Sequence, residues 1–355
     1  MVLWREFQRI FYPMKSNLPV SILARGLAGA LLVTTALRGA AADIDAFVGR
    51  WALSLPSAAG WLEVKKEAGW LDGALLWGGG SVLPVSSVTI AEGTLTITRV
   101  SDAIRKNAAG KVVRTQQLTS TLTATLDGDT LRGVRLDPRA NGAGFNRVEF
   151  TGKRSLPLPA RPNLHAVKFG EPIVLFNGRD LAGWKLKEAD IKNGWTVNNG
   201  VLANQPPAHV AGQPNVRTAN LRTEREFEDF SLKVEVSVPA GSNSGVYLRG
   251  IYEIQVLDSR GKALDSHNMG ALYSRITPSV GAEKGAGEWQ TMEMTLVQRH
   301  LTVVLNGQTI IDNQPVMGCT GGAMWSDESR PGPIYLQGDH GAVSYRNLVL
   351  RPVVK

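Results

Sequence analysis

Short runs in which apolar and polar residues alternate dominate this sequence and constrain its fold more than any other feature. In FSLKVEVSVP (230–239) every second side chain is apolar, which places five of them on one face of a strand: Phe230, Leu232, Val234, Val236 and Val238. The segment TMEMTLVQRHLTVVLNGQTIID (291–312) alternates in the same way and predicts two hairpins, the second turning at Asn306-Gly307. Helical periodicity is nearly absent, so the chain is predicted to be all-β.

A proline-rich segment divides these strands into two groups. LPLPARP (156–162) cannot form a central strand because proline donates no amide hydrogen bond, and it is interpreted as a linker. Residues 43–155 predict a small antiparallel β domain, either lipocalin-like, as the Gly-x-Trp of FVGRW (47–51) indicates, or a meander. Residues 163–355 predict a two-sheet sandwich that we expect to fold alone.

The amino terminus has the pattern of a secretion signal. Residues 1–42 hold five basic residues and one acidic residue, so half of the net charge of +8 lies there. The apolar run GLAGALLVTTAL (26–37) is too short to span a bilayer, and small residues follow it up to Ala42. We therefore expect a signal peptide over 1–42, starting at Met1 or Met14, and a periplasmic or secreted protein with no membrane span after cleavage. An uncleaved anchor is the alternative.

The rest of the composition narrows the classes of partner and cofactor. The remaining positive charge forms no Lys/Arg cluster, so no nucleic-acid partner is expected. Cys319 is the single cysteine, which excludes an intrachain disulfide. No G-x-S-x-G, P-loop, H-E-x-x-H or paired C-x-x-C motif occurs, so no metal or cofactor is predicted. A structural Ca²⁺ ion is an alternative, but no EF-hand-like loop supports it. The sequence does not determine the oligomeric state.

The strand YEIQVLDS (252–259) is the best candidate to carry chemistry. Ile254 and Val256 would face a core, which leaves Glu253 and Gln255 side by side on the other face. Asp258 would join them only through a bulge near the end of the strand. The E-x-Q-x-x-D spacing resembles the E-x-D-x-x-E strand of jelly-roll β-glucanases, in which one carboxylate attacks and another protonates the leaving oxygen. The alternative interpretation is a solvated polar sheet face.

Further polar and aromatic residues occur close to predicted turns. Sugars are bound by planar hydrogen-bonding side chains together with an aromatic surface, and this mixture recurs here. The candidates are Asn243, Arg249, Tyr273, Trp289, Gln337, Asp339 and His340. Together with the 252–259 strand they predict a carbohydrate ligand.

The order of motifs in the carboxy-terminal half resembles the 3-keto-disaccharide hydrolase family, also described as 3-keto-glucoside 1,2-lyase/3-keto-2-hydroxy-glucal hydratase. The resemblance covers residues 170–353 and rests on LFNGRDLAGW, GWTVNNGVL, LRTEREFEDFSLKVEV, SNSGVYLRG, YEIQVLD, GALY, GEWQTMEM, LNGQ, GPIYLQGDHG and YRNLVLRP. It implies a concanavalin A-like jelly roll, export, and action on glycosides oxidised at C3. One departure is LQGDHG in place of the family's LQDHG, and the extra Gly338 is expected to shift Asp339 and His340.

Cleavage of such a glycoside requires particular groups. A ketone at C3 acidifies the C2 proton, so a base can remove it; Glu253 is the first candidate and His340 the second. Arg249 is expected at the ketone oxygen. Substrate contacts are expected from Asn243, Gln255, Asp258, Tyr273, Trp289, Gln337 and Asp339. A non-catalytic, lectin-like carbohydrate-binding protein is the main alternative, and a cell-surface adhesion protein is the third.

Overall fold

The structure is a computed structural model that describes residues 44–207 and 216–354. Over these residues the fold is all-β, as predicted, with one helical turn at 44–47 and a 3-10 turn at Leu164–Ala166. The predicted signal segment 1–42 lies outside the described residues. Among the described residues, no helix is both long and apolar enough to cross a membrane.

Nine antiparallel strands form the first domain. Their order across the sheet is β4-β3-β2-β1-β9-β8-β7-β6-β5, a meander in which β1 pairs with β9. The strands are β1 (Gly49–Ser54), β2 (Ala59–Lys66), β3 (Leu71–Trp77), β4 (Leu83–Pro84), β5 (Ser87–Ala91), β6 (Thr94–Lys106), β7 (Val112–Asp127), β8 (Thr130–Pro138) and β9 (Phe145–Arg154). The sheet curls until Gly73 of β3 meets Val88 of β5, where an added Cβ would lie 3.4 Å from the valine Cγ2.

The Gly-x-Trp motif occupies the start of β1 in this curled sheet. Gly49 has a φ of +120°, and Trp51 donates its indole N–H to the carbonyl of Phe47 at 2.9 Å. The guanidinium of Arg154, on the paired strand β9, stacks 4.2 Å above the Trp51 ring. Buried apolar side chains, among them Leu62, Ile97 and Phe150, fill the inside of the sheet. The interior of this domain is therefore a packed core.

The second domain is a sandwich of two antiparallel sheets. The larger sheet has the order β12-β13-β22-β15-β18-β19-β20 with β10 added beside β22, and the smaller has the order β11-β14-β21-β16-β17. The strands are β10 (Ile173–Val174), β11 (Trp184–Leu186), β12 (Trp195–Asn198), β13 (Val201–Asn204), β14 (Leu221–Phe227), β15 (Phe230–Ser237), β16 (Asn243–Leu248), β17 (Tyr252–Leu257), β18 (Gln290–Val297), β19 (His300–Leu305), β20 (Gln308–Pro315), β21 (Gly332–Leu336) and β22 (Val343–Pro352).

The strand pattern of this domain agrees with the sequence prediction. The five alternating apolar side chains of 230–239 are all buried in the core between the sheets. The two predicted hairpins join β18, β19 and β20. The second hairpin turns at Asn306 and Gly307, whose φ values of +52° and +84° fit a type I′ turn.

The two domains pack against each other within one compact unit, Asp43–Lys355. Trp61 and Leu76 of the first domain belong to the same hydrophobic cluster as the sandwich core. Arg275 lies 4.3 Å above the Trp61 ring and donates to the carbonyl of Cys319 at 2.9 Å. The 156–162 segment lies outside the strands, and Asn313 donates to its Pro162 carbonyl at 2.9 Å. Residues 163–355 alone would leave this shared apolar surface uncovered, and their independent folding stays a prediction.

Candidate active site

A polar cavity of about 460 Å³ lies over the outer face of the smaller sheet. Val246 of β16 and Ile254 of β17 point into the sandwich core, so their neighbours Tyr247 and Glu253 point the other way. The cavity is lined by Gly79, Gly80, Lys187, Glu188, Arg217, Asn220, Asn243, Tyr247, Glu253, Tyr273, Gly321, Gly322, Tyr335, Gln337, Asp339 and His340. Both domains contribute to this lining.

The β16–β17 hairpin positions the Glu253 carboxyl. Tyr247 and Glu253 are direct cross-strand partners, and Gly245 lies diagonally across from Glu253 on the same face. A Cβ at Gly245 would collide with the Glu253 carboxyl, so the glycine leaves room for the acid to lie against the sheet. The turn between the strands places Arg249 in the left-handed region with a φ of +55°.

Burial controls the ionisation of Glu253, which is only 4 % exposed. Loss of hydration raises the pKa of this carboxyl to about 8, and the negative charge of Asp339 adds to the rise. The hydrogen bond with Tyr247 and the positive charge of His340 act in the opposite direction. Glu253 is thus a buried acid that exchanges its proton close to neutral pH, as a general base does.

Tyr247 connects Glu253 to the segment that follows Cys319. Its hydroxyl oxygen lies 2.8 Å from Oε2 of Glu253 and 2.7 Å from the carbonyl oxygen of Gly321. The ring stacks on Tyr335 with centroids 4.0 Å apart, which fixes its orientation. Burial raises the pKa of the Tyr247 hydroxyl well above its ordinary value, so it remains a neutral hydrogen-bonding group.

Asp339 and His340 form a second titratable pair on the cavity wall. Nδ1 of His340 lies 2.7 Å from Oδ1 of Asp339. This hydrogen bond raises the pKa of His340, against the effect of burial, and the charges of Asp339 and Glu253 raise it further. Burial opposes ionisation of Asp339, but the bond and charge of His340, with the charge of Arg217, lower the pKa of Asp339. The pair therefore favours the protonated imidazolium of His340 over the neutral ring.

The extra Gly338 is accommodated away from the cavity. Its N–H donates to Oδ1 of Asn220 at 2.8 Å, and its carbonyl accepts from Asn204 at 2.7 Å and Thr218 at 2.6 Å. A Cβ there would press on the Ala219 carbonyl and the Trp195 ring. With the inserted residue held in this buried position, Asp339 and His340 line the same cavity as Glu253.

Cationic side chains line the cavity at two further positions. Lys187 pairs with the carboxylate of Glu188 at 2.5 Å, and Glu188 also accepts from the amide N–H of Asn220 at 3.0 Å. Arg217 lies close enough to Asp339 to lower its pKa.

Over the described ranges, 44–207 and 216–354, no three His, Cys, Asp or Glu side chains are placed to hold a metal ion.

The structure brings six of the predicted site residues together. Glu253, Asp339 and His340 share the cavity with Asn243, Tyr273 and Gln337. Oδ1 of Asn243 and Oε1 of Gln337 are buried acceptors with no partner among the described residues. Both are well suited to accept hydrogen bonds from sugar hydroxyls.

Arg249 lies outside this group, contrary to the role expected for it at the ketone. Its guanidinium is buried and donates to the carbonyls of Glu328 and Arg330, both at 2.6 Å. The left-handed turn at Arg249 directs the side chain to this loop rather than to the cavity. Its position supports a structural role.

The other three predicted substrate contacts also lie away from the cavity. Gln255 is buried on the same face of β17 as Glu253, but its side chain does not line the cavity. β17 ends at Leu257 without the bulge that would turn Asp258 inward, and Asp258 accepts from the amide of Gly241 at 3.1 Å. The Arg346 guanidinium lies 4.1 Å above the Trp289 ring, which places Trp289 beside β22 of the larger sheet.

Several cavity residues were not predicted from the sequence. Tyr247 could have been found, because antiparallel pairing across the Arg249 turn sets it opposite Glu253. Tyr335 follows from the same alternation on β21. Lys187 and Arg217 come from irregular segments, and Gly79 and Gly80 come from the other domain, so no local pattern indicated them.

Comparison with known proteins identifies the family. Residues 171–351, just over half of the chain, match the 3-keto-alpha-glucoside-1,2-lyase-like domain, and the chain belongs to this family. This confirms the resemblance found in the sequence and makes the protein a carbohydrate-processing one.

Crystal structures of three proposed glycosyl hydrolases from Parabacteroides distasonis are similar to part of the chain. The first is 26 % identical, covers 56 % of this chain and 94 % of its own, and has a TM-score of 0.41. The second is 20 % identical, covers 52 % of this chain and 94 % of its own, and has a TM-score of 0.41. The third is 22 % identical, covers 52 % of this chain and 100 % of its own, and has a TM-score of 0.39.

Proposed function

We propose that this protein cleaves glycosides whose glucose ring carries a ketone at C3. The observation that carries the proposal is the buried Glu253 carboxyl, with a pKa raised to about 8, facing a polar cavity that also holds the Asp339–His340 pair. Membership of a family described as 3-keto-alpha-glucoside-1,2-lyase-like supports the choice of substrate.

The first step is removal of the C2 proton by ionised Glu253. The C3 ketone makes this proton acidic because the resulting carbanion is delocalised onto the ketone oxygen as an enolate. A desolvated carboxylate is a stronger base than one in water, which matches Glu253 to a weakly acidic carbon. Tyr247 holds the carboxyl in place through the hydrogen bond at Oε2.

The second step is departure of the aglycone from C1. The enolate electrons form the C1–C2 double bond as the C1–O bond breaks, and His340 donates its proton to the leaving oxygen. Asp339 supports this role because its hydrogen bond keeps His340 protonated to higher pH. Water then adds to C1 and a proton returns to C2, so the net reaction is hydrolysis to the free 3-keto sugar.

Charge on the C3 oxygen requires a cation or a hydrogen-bond donor. We assign this role to Arg217, which lines the cavity, in place of Arg249. Lys187 is less suited because Glu188 neutralises it at 2.5 Å. Asn243, Tyr273 and Gln337 are assigned to the sugar hydroxyls.

We also propose that the protein acts in the periplasm or outside the cell. The support is the basic segment, short apolar run and small-residue site within residues 1–42. Intact-mass measurement on protein recovered from the periplasm of an expressing host tests this. The measured mass should be that of a chain starting at Asp43, and a retained leader would contradict export with cleavage.

A pair of substrates tests the proposed activity. The protein is incubated with 3-keto-trehalose and, as a matched control, with trehalose, which lacks the acidic C2 proton. We expect release of sugar from the oxidised disaccharide alone. Equal cleavage of both would indicate an ordinary glycosidase, and tight binding of the keto sugar without cleavage would indicate the lectin-like alternative.

A further inference from the structure

We infer that the first domain is part of the sugar site and that its glycine loop, residues 78–82 (GGGSV), limits the size of the glycoside that the cavity accepts. The inference rests on the proposed function in that it takes the ligand to be a keto glycoside. The loop connects β3 to β4 and lies against two separate segments of the sandwich domain.

On one side the loop holds the segment that positions Tyr247. The carbonyl of Gly78 accepts a hydrogen bond from the amide of Gly322 at 3.1 Å. The backbone of Gly80 packs so closely on Gly321 that a Cβ at Gly321 would collide with it. Because the Gly321 carbonyl lies 2.7 Å from the Tyr247 hydroxyl, the loop supports the tyrosine that holds Glu253.

On the other side the loop contacts the segment that carries Tyr273. Oγ of Ser81 lies 2.9 Å from Nε2 of His267 and 3.4 Å from the Tyr273 hydroxyl. The amide of Val82 donates to Oγ of Ser274 at 2.9 Å. The glycine loop is therefore fixed at both ends of its span, and Gly79 and Gly80 between these contacts line the cavity.

Gly79 is the position where this wall can be altered without strain. Unlike Gly78 and Gly80, with φ values of +75° and +76°, it does not have a left-handed backbone. A Cβ added to Gly79 would meet no atom within 4 Å. Because Gly79 lines the cavity, we expect a side chain at this position to narrow it.

The consequence is a preference for small glycosides. A cavity of about 460 Å³, bounded on this side by a second domain, is the size of a small-molecule site. A long polysaccharide requires an open groove instead. We therefore assign the upper size limit on this side of the cavity to the 78–82 loop, which lies outside the matched family domain at 171–351.

The test compares full-length Gly79→Leu and Gly79→Ala with the wild type on 3-keto-trehalose and on methyl 3-keto-α-glucoside. Thr89→Leu, an exposed position on β5, is the matched control for adding bulk to the same domain. Gly79→Leu should raise KM for the disaccharide about tenfold or more, since a mismatch of a single methylene in a binding pocket is worth roughly 10–200-fold. The change should be smaller for the methyl glycoside. Gly79→Ala should fall between, and Thr89→Leu should match the wild type.

The same series is measured as equilibrium binding in a Glu253→Gln background, so the wall is tested even where turnover fails. Wild-type KM and Kd in a normally folded Gly79→Leu protein would overturn the inference while leaving the proposed function intact. Weakened disaccharide binding by Gly79→Leu, in a protein that cleaves neither substrate, would support the wall and reject the activity. A wild-type chain that binds neither keto sugar would overturn both.

Discussion

The hydroxyl oxygen of Tyr247 lies 2.8 Å from Oε2 of Glu253, and the same oxygen lies 2.7 Å from the carbonyl of Gly321. A tyrosine hydroxyl has one proton, and neither a carboxylate nor a carbonyl can donate, so ionised Glu253 and Gly321 compete for it. When Glu253 is protonated, it can donate to Tyr247 while Tyr247 donates to Gly321, and both bonds form. Burial raises the pKa of Glu253 to about 8, and competition from the Gly321 carbonyl weakens the hydrogen bond from Tyr247 that acts in the opposite direction.

The first prediction concerns the pH dependence of the proton-abstraction step. An aryl 3-keto-glucoside releases a phenolate without help from an acid, so the ionisation of Glu253 alone should control the rate. We expect kcat/KM, after subtraction of the enzyme-free rate, to rise with pH and level off above a midpoint near the Glu253 pKa of about 8. A midpoint near 4.5, or a rate independent of pH, would contradict the assignment of Glu253 as the base.

Removing the Tyr247 hydroxyl should move that midpoint. The hydrogen bond from Tyr247 lowers the pKa of Glu253, so Tyr247→Phe should raise the pKa and shift the rising limb of the profile to higher pH. Tyr252→Phe is the matched control, because it removes another buried hydroxyl, one that donates to Glu328 at 2.8 Å instead. An unchanged midpoint in Tyr247→Phe, or an equal shift in Tyr252→Phe, would contradict the role of the Tyr247 hydrogen bond in setting the pKa of Glu253.

Glu253→Gln should separate activity from stability. Loss of a positioned base should lower turnover by about 10²–10⁴-fold, with little change in substrate affinity. The folded-state pKa of about 8 lies above the ordinary value of 4.5, so the stability linked to Glu253 is fully present below pH 4.5 and is lost as pH rises through 8. The free energy of unfolding of the wild type should therefore fall by about 5 kcal/mol over this pH range, because one pKa unit is worth ~1.4 kcal/mol.

The variant has no carboxyl to ionise, so it should be more stable than the wild type at pH 9 and similar to it at pH 5. Urea denaturation at the two pH values measures this. Equal stability of wild type and variant at pH 9 would show that the carboxyl is not held in a desolvated site.

Two arginines should respond differently to substitution. Arg249→Met removes three hydrogen bonds to the carbonyls of Glu328 and Arg330, and we expect a loss of about 2–4 kcal/mol in the free energy of unfolding with near-normal turnover in the folded fraction. Arg217→Met should lower kcat with little loss of stability, and Arg217→Lys should restore part of it. Thermal melts and kinetics on the same preparations distinguish these cases, and the reversed pattern would return Arg249 to the active site.

The fold was predictable where alternation extends through a whole strand. The 230–239 strand and the Asn306-Gly307 hairpin follow from the period of two and from turn chemistry, both of which are local properties. Glu253 was predictable for the same reason, since its neighbours in β17 must enter the core. Asp339 and His340 were predicted from their position beside a glycine turn and again from the family motif, and they line the cavity despite the added Gly338.

The remainder of the site depends on contacts between distant parts of the chain. Arg249 has the right charge for the ketone, but its left-handed turn and the carbonyls of the 328–330 loop determine where it points. Gly79 reaches the cavity only because Trp61 docks the first domain on the sandwich. Alternation along one strand contains no information about either contact.

Isotope exchange at C2 tests the central claim most directly. The wild-type protein is incubated with 3-keto-trehalose in D₂O, and the released 3-keto-glucose is examined early by NMR, with an enzyme-free incubation of the product as control. Elimination followed by hydration should place deuterium at C2, since water must enter the cavity for the second step and exchanges the proton held by Glu253. Released 3-keto-glucose that retains its hydrogen at C2 would contradict proton abstraction and indicate direct hydrolysis.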